Sequence, residues 1–116
     1  MGDFKELKVW QKAHRFVLDV YEHSRSLPSD ERFGLTAHLR KSATSVPSNI
    51  AEGCGREGER ELARFLSIAA GSASESEYQL LLARDLGHQQ PDAHRRLDEQ
   101  VTEVRRMLYS FMRKLG

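Results

Sequence analysis

Apolar residues recur along this chain at helical spacing, in four separate runs. In the first, Trp10, Ala13, Val17 and Val20 fall three or four apart, and Val9, Phe16 and Tyr21 widen the stripe. That pattern predicts a helix from Leu7 to Ser26, ended by Pro28. Ser29-Asp30-Glu31-Arg32 reads as a capped start for the second helix, which carries Leu35, Leu39, Ala43, Val46 and Ile50. Pro47 lacks a backbone donor and predicts a kink or short break near Thr44 to Val46, where Ser42, Thr44, Ser45 and Ser48 can satisfy freed groups. Gly53, Gly55 and Gly58 supply a stop. Glu57, Glu59 and Glu61 then suit the positive end of a third helix, with a core stripe of Leu62, Phe65, Leu66, Ala69, Ala73, Leu80 and Leu81 and closure at Gly87. After a turn at Gln89–Pro91, with Asp92 in the cap region, Leu97, Val101, Val104, Leu108, Phe111 and Leu115 alternate steps of four and three. That is a coiled-coil-like seam. Short connections between four such helices predict an all-α, antiparallel up-down-up-down four-helix bundle with a kinked second helix, one domain over residues 1–116.

Composition narrows the function classes. Eighteen Lys and Arg against seventeen Asp and Glu leave a net charge of +1, so nucleic-acid binding has to come from local patches. The single Cys54 provides neither an internal disulfide nor a cysteine-based zinc site. No apolar run reaches membrane-spanning length, and Met1–Glu6 has no signal-peptide core and poorly matches a myristoylation start. The expectation is a cytoplasmic protein without a membrane partner.

Catalytic signatures are weak. Paired metals in a bundle call for repeated Glu-x-x-His, and the nearest match is one copy of Asp85-Leu86-Gly87-His88. The five histidines form no ligand-spaced pair, no base is marked for Cys54, and no phosphate loop follows a strand. The chain therefore reads as a non-enzyme without cofactor or metal.

Three groups of residues remain as candidates. Asn49 and Glu52 share a helical face, with Glu75 nearby if the second and third helices pair; they form either a recognition cluster or, as we favour, polar groups that fix helix pairing. Ser67 to Ser74 surrounds the third helix with small side chains, and Ala70, Gly71 and Ser74 are candidate contacts to another subunit. The alternative is a tight crossing inside one protomer. Basic residues Lys8, Lys12 and Arg15 share a stripe; Arg40 and Lys41 precede Pro47; Arg56 flanks the glycines; Arg95, Arg105 and Arg106 lie on the fourth helix. Each is a candidate phosphate contact, against the plain reading of a solvated face. No helix-turn-helix, zinc-finger or RNA-recognition signature predicts sequence-specific readout.

Several ordered segments resemble a known bacterial family: Leu7-Lys8-Val9-Trp10-Gln11-Lys12-Ala13, Leu39-Arg40-Lys41-Ser42-Ala43, Ser48-Asn49-Ile50-Ala51-Glu52-Gly53, and Phe65-Leu66-Ser67-Ile68-Ala69 followed by Gly71-Ser72 and Glu75-Ser76-Glu77. They resemble the four-helix-bundle proteins of 23S ribosomal RNA intervening sequences, a family that includes accessory variability proteins of diversity-generating retroelements. The resemblance spans nearly the whole chain. It implies a homo-oligomer, commonly a pentameric ring, and retroelement relatives that bind nucleic acid and a reverse transcriptase. Ser76 departs from the larger apolar or Thr residue usual there, which predicts looser packing. Two functions follow as expectations: a non-catalytic oligomeric adaptor for RNA or DNA, or a scaffold ring whose partner is another protein.

Overall fold

A computed structural model describes residues 2–115; Met1, where the leader reading begins, lies outside them. Four helices make up the fold: α1 (Lys8–Ser24), α2 (Leu35–Cys54), α3 (Glu59–Asp85) and α4 (Pro91–Leu115), with no strand among the described residues. Each helix packs on its chain neighbours and α1 closes the ring against α4, in a rod 43 × 23 × 20 Å. Side-chain pairs fix the directions. Lys12 meets Glu103 while Asp19 meets Gln100, so α1 and α4 run antiparallel. Ser42 meets Gln79 while Ser45 meets Ser72, so α2 and α3 do too. No described helix is long and apolar enough to cross a membrane.

The core follows the apolar periodicity. Val9, Ala13, Phe16 and Val20 of α1 face Leu39, Ala43, Val46 and Ile50 of α2, with Leu97, Val101, Val104 and Leu108 of α4 completing the interior. Burying each of the larger side chains contributes about 1.5–3 kcal/mol, the main term opposing chain entropy. On α3 the buried positions Leu62, Leu66, Ala69, Ala73, Ser76, Leu80 and Ala83 keep regular steps of four and three. Leu81 falls off that seam and is exposed, a correction to its expected core place. Tyr21 is likewise exposed, its ring lying 4.7 Å from the Arg40 guanidinium.

Boundaries differ from expectation where local chemistry decides. A 3-10 turn at Phe4–Glu6, capped by the Asp3 carboxylate, precedes α1 and lays Phe4 edge-on against Trp10 at 5.0 Å. Ser29 does not cap α2. It opens a separate 3-10 turn, and Glu31 Oε1 accepts instead from the Leu35 amide at 3.2 Å. Of the kink or short break expected near Thr44 to Val46, the break does not occur: α2 runs on through Pro47, which has no N–H to give Ala43 and is buried. Thr44 Oγ1 donates to the Arg40 carbonyl at 2.7 Å, and Asn49 Nδ2 to that of Ser45 at 2.8 Å.

Gly53 is no stop. It lies inside α2, where an added Cβ would stand 2.9 Å from Phe65 Cβ and 3.1 Å from Leu62 Cδ1. Gly58, at φ 85°, makes the turn into α3. Gly87, at φ 77°, closes α3, with His88 N–H donating to Ala83 O at 2.9 Å in a Schellman-type end. Pro91 opens α4, where its missing donor costs nothing.

Candidate functional site

The polar residues between α2 and α3 act inside the protomer. Ser42 Oγ lies 2.6 Å from Gln79 Oε1 and 2.8 Å from Ser76 Oγ. A hydroxyl carries one proton, so Ser42 donates to Gln79 and accepts from Ser76. Ser76 is fully buried in this pairing, and its small size makes room for the hydrogen bond. Ser45 and Ser72 pair at 2.8 Å, and Asn49 Nδ2 donates to both Ser45 oxygens. Glu52 pairs with Arg56 at 3.3 Å. Glu75 is exposed, beside a cleft it lines with His38, Lys41, Ser42, Ser45 and Gln79. Asn49, Glu52 and Glu75 therefore do not converge on one cluster.

The small-residue belt is divided between two roles. Ala69, Ala70 and Ala73 are buried within the bundle, so Ala70 is corrected from a subunit contact to a core residue. Gly71 and Ser74 lie on the exposed side of α3, and nothing stands within 4 Å of where a Gly71 Cβ would be.

The candidate cations differ in how committed they are. Lys12 pairs with Glu103 at 3.0 Å, Arg15 with Asp19 at 3.7 Å and Arg95 with Asp92 at 3.0 Å. These pairs are largely exposed, and such pairs contribute about 0–1 kcal/mol, little enough for a phosphate to displace the carboxylate. Arg56 adds the Phe65 ring at 5.1 Å to its Glu52 pair. Arg105 is held most firmly, in a half-buried pair with Glu77 that ties α4 to α3. Lys8, Lys41 and Arg106 are exposed without a carboxylate partner among the described residues.

Arg40 stands apart. Its Nε donates to Ser24 Oγ at 2.7 Å and its guanidinium lies over Tyr21. It lines a cleft of about 390 Å³ at the corner between α1 and α2, together with Arg25 and Arg32. Those two arginines and Phe33 sit outside any helical stripe, so the only signal they leave in the sequence is an Arg on either side of Pro28.

Titratable interior groups are few. Burial pushes the Cys54 thiol up, which lowers its thiolate fraction and reactivity. Burial also holds His23 below the ordinary histidine range, with Arg96 and His94 adding to the effect. His88 is paired with Glu31 at 3.3 Å, and no three His, Cys, Asp or Glu side chains gather as a metal site among the described residues.

The family described as 23S rRNA-intervening sequence protein matches residues 5–110. The chain belongs to that family. A solved structure similar to this chain is a protein of unknown function from the S23 ribosomal protein family of Bacteroides thetaiotaomicron VPI-5482. It aligns with a TM-score of 0.84 at 23% identity, over 90% of this chain and 97% of that one, and the likeness establishes the fold alone. No curated protein matches the sequence.

Proposed function

We propose that this chain is a non-catalytic, homo-oligomeric adaptor that binds RNA or DNA phosphates without strong sequence preference. The observation that carries the reading is a set of exposed cations, Lys8, Lys41 and Arg106, with no carboxylate partner among the described residues. Exposed pairs such as Lys12–Glu103 add charge that a phosphate can recruit. One copy carries a net charge of only +1, so useful affinity requires several copies on one strand, in the ring that the resemblance implies. The buried, raised-pKa Cys54 is a poor nucleophile, in keeping with a binding role.

The test is a titration of labelled RNA and DNA at low and moderate salt. Binding should weaken steeply with salt, and Lys8→Gln, Lys41→Gln and Arg106→Gln together should flatten that dependence. Failure to bind either nucleic acid at low salt would overturn the proposal. A second reading, a scaffold for a protein partner such as a reverse transcriptase, is favoured by the exposed Ile68, Tyr78 and Leu81 of α3 and Tyr109 of α4. A stoichiometric protein partner co-purifying without nucleic acid would favour it.

A further inference from the structure

We propose that the corner between α1 and α2 holds one nucleotide of an unpaired nucleic-acid strand, its phosphate among Arg25, Arg32 and Arg40 and its base stacked on Phe33. This rests on the nucleic-acid reading above and gives it a specific site. The cleft is lined by those three arginines and by the hydroxyls of Ser24, Ser29 and Thr36, with no carboxylate in its walls. Neighbouring acids are turned elsewhere or stand outside. Glu31 spends one oxygen on the Leu35 amide and the other on His88, and Asp30 is exposed in the turn beside the cleft.

The arginines are available in the way phosphate recognition requires. Arg25 and Arg32 have no carboxylate partner among the described residues. Arg40 is oriented by two contacts, Nε on Ser24 and its plane over Tyr21, while its terminal nitrogens make no hydrogen bond among the described residues. A guanidinium fork with free terminal nitrogens matches two phosphate oxygens at once. Ser24 and Thr36 are buried in its lining; the Ser24 hydroxyl gives its one proton to the Tyr21 carbonyl and accepts from Arg40, so it orients Arg40 and does not itself donate to a phosphate.

Phe33 decides which phosphate ligand fits. It is 87% exposed, the largest value among the exposed apolar side chains, and it adjoins Arg32, whose guanidinium lies 5.6 Å from its ring centroid. An aromatic platform beside a cationic notch is the arrangement that binds single strands, because every unpaired base offers a face to stack. Bases within a duplex are already stacked on one another and leave such a platform unused.

The experiment is fluorescence anisotropy with a short labelled oligoribonucleotide, single-stranded or annealed to its complement, and with unlabelled nucleoside monophosphate as competitor. Phe33→Ala should weaken single-strand binding about tenfold. Arg25→Gln with Arg32→Gln should reduce the salt slope by about 1.4. All three positions are exposed, so these variants should fold, as circular dichroism will verify. Wild-type single-strand binding that survives both changes would overturn this site while leaving the broader function standing. A duplex bound as tightly as the strand would remove the stacking role, and competition by the free monophosphate at equal concentration would reassign the cleft to a small nucleotide. Failure to bind at low salt would end both proposals.

Discussion

His23 lies near the end of α1 with Nε2 buried and without a partner among the described residues, and burial keeps its ring neutral to lower pH than in the unfolded chain. Its folded pKa is depressed, so the unfolded chain binds more protons between the two values. The stabilising contribution is fully present above about pH 6.5, the ordinary histidine value, and is lost as pH falls through the folded pKa. Melting temperature should therefore drop on acidification from pH 7.5 to 5, and His23→Gln should make that drop smaller. An unchanged pH profile in the variant would place the acid sensitivity elsewhere. Two glycines give a second comparison. At Gly53 an alanine methyl must push against Phe65 Cβ, and overpacking of this kind costs about 1–3 kcal/mol, more than the helix-propensity gain of about 0.8–1 kcal/mol. At Gly71 nothing opposes the methyl, so the same change should stabilise a protomer by about 0.5–1 kcal/mol. Urea denaturation of Gly53→Ala and Gly71→Ala should show opposite signs.

At the scale of the elements, the α2–α3 pair carries the polar part of the interior. Ser42→Ala would leave Gln79 Oε1 and Ser76 Oγ short of a partner in a buried place, at a cost of about 1–3 kcal/mol. A double-mutant cycle of Ser42→Ala with Ser76→Ala should show coupling, since both remove one shared bond; additive losses would mean that the contact contributes nothing. These elements also mark what could be read in advance. The α4 seam was legible because its apolar residues keep one spacing throughout, and Gly87 was legible because the C-terminal glycine signal is local. The start of α2 was not: Ser29 satisfies the cap pattern, but Glu31, held in its own short turn, reaches the Leu35 amide first. The double role of the small-residue belt was equally hidden, because which side of α3 meets α2 depends on how the bundle closes. The candidate cations suffered most. Lys12 finds Glu103 at the far end of the chain, a partner that helical spacing along α1 gives no hint of.

For the whole molecule, the question is what the outward side of α3 does. Ile68, Tyr78 and Leu81 are exposed there, Tyr109 of α4 is exposed as well, and the open space at Gly71 admits a second backbone at close range. Isolated apolar side chains on a surface need no explanation, but several on one helix beside a bare glycine favour burial against another copy. Electrostatics does not oppose it, because copies with a net charge of +1 repel each other weakly. Tyr78→Asp with Leu81→Asp should then shift the sedimentation of the protein at micromolar concentration toward a single copy of 13.3 kDa, with little change in helical circular dichroism. The buried seam of α3 is untouched by either change, so loss of assembly without loss of fold would locate the subunit contact on this face. A wild-type protein that already sediments as a single copy would show that these side chains are simply solvated. Under the proposed function, a strand would then be held by one modest set of cations, and its affinity should fall accordingly.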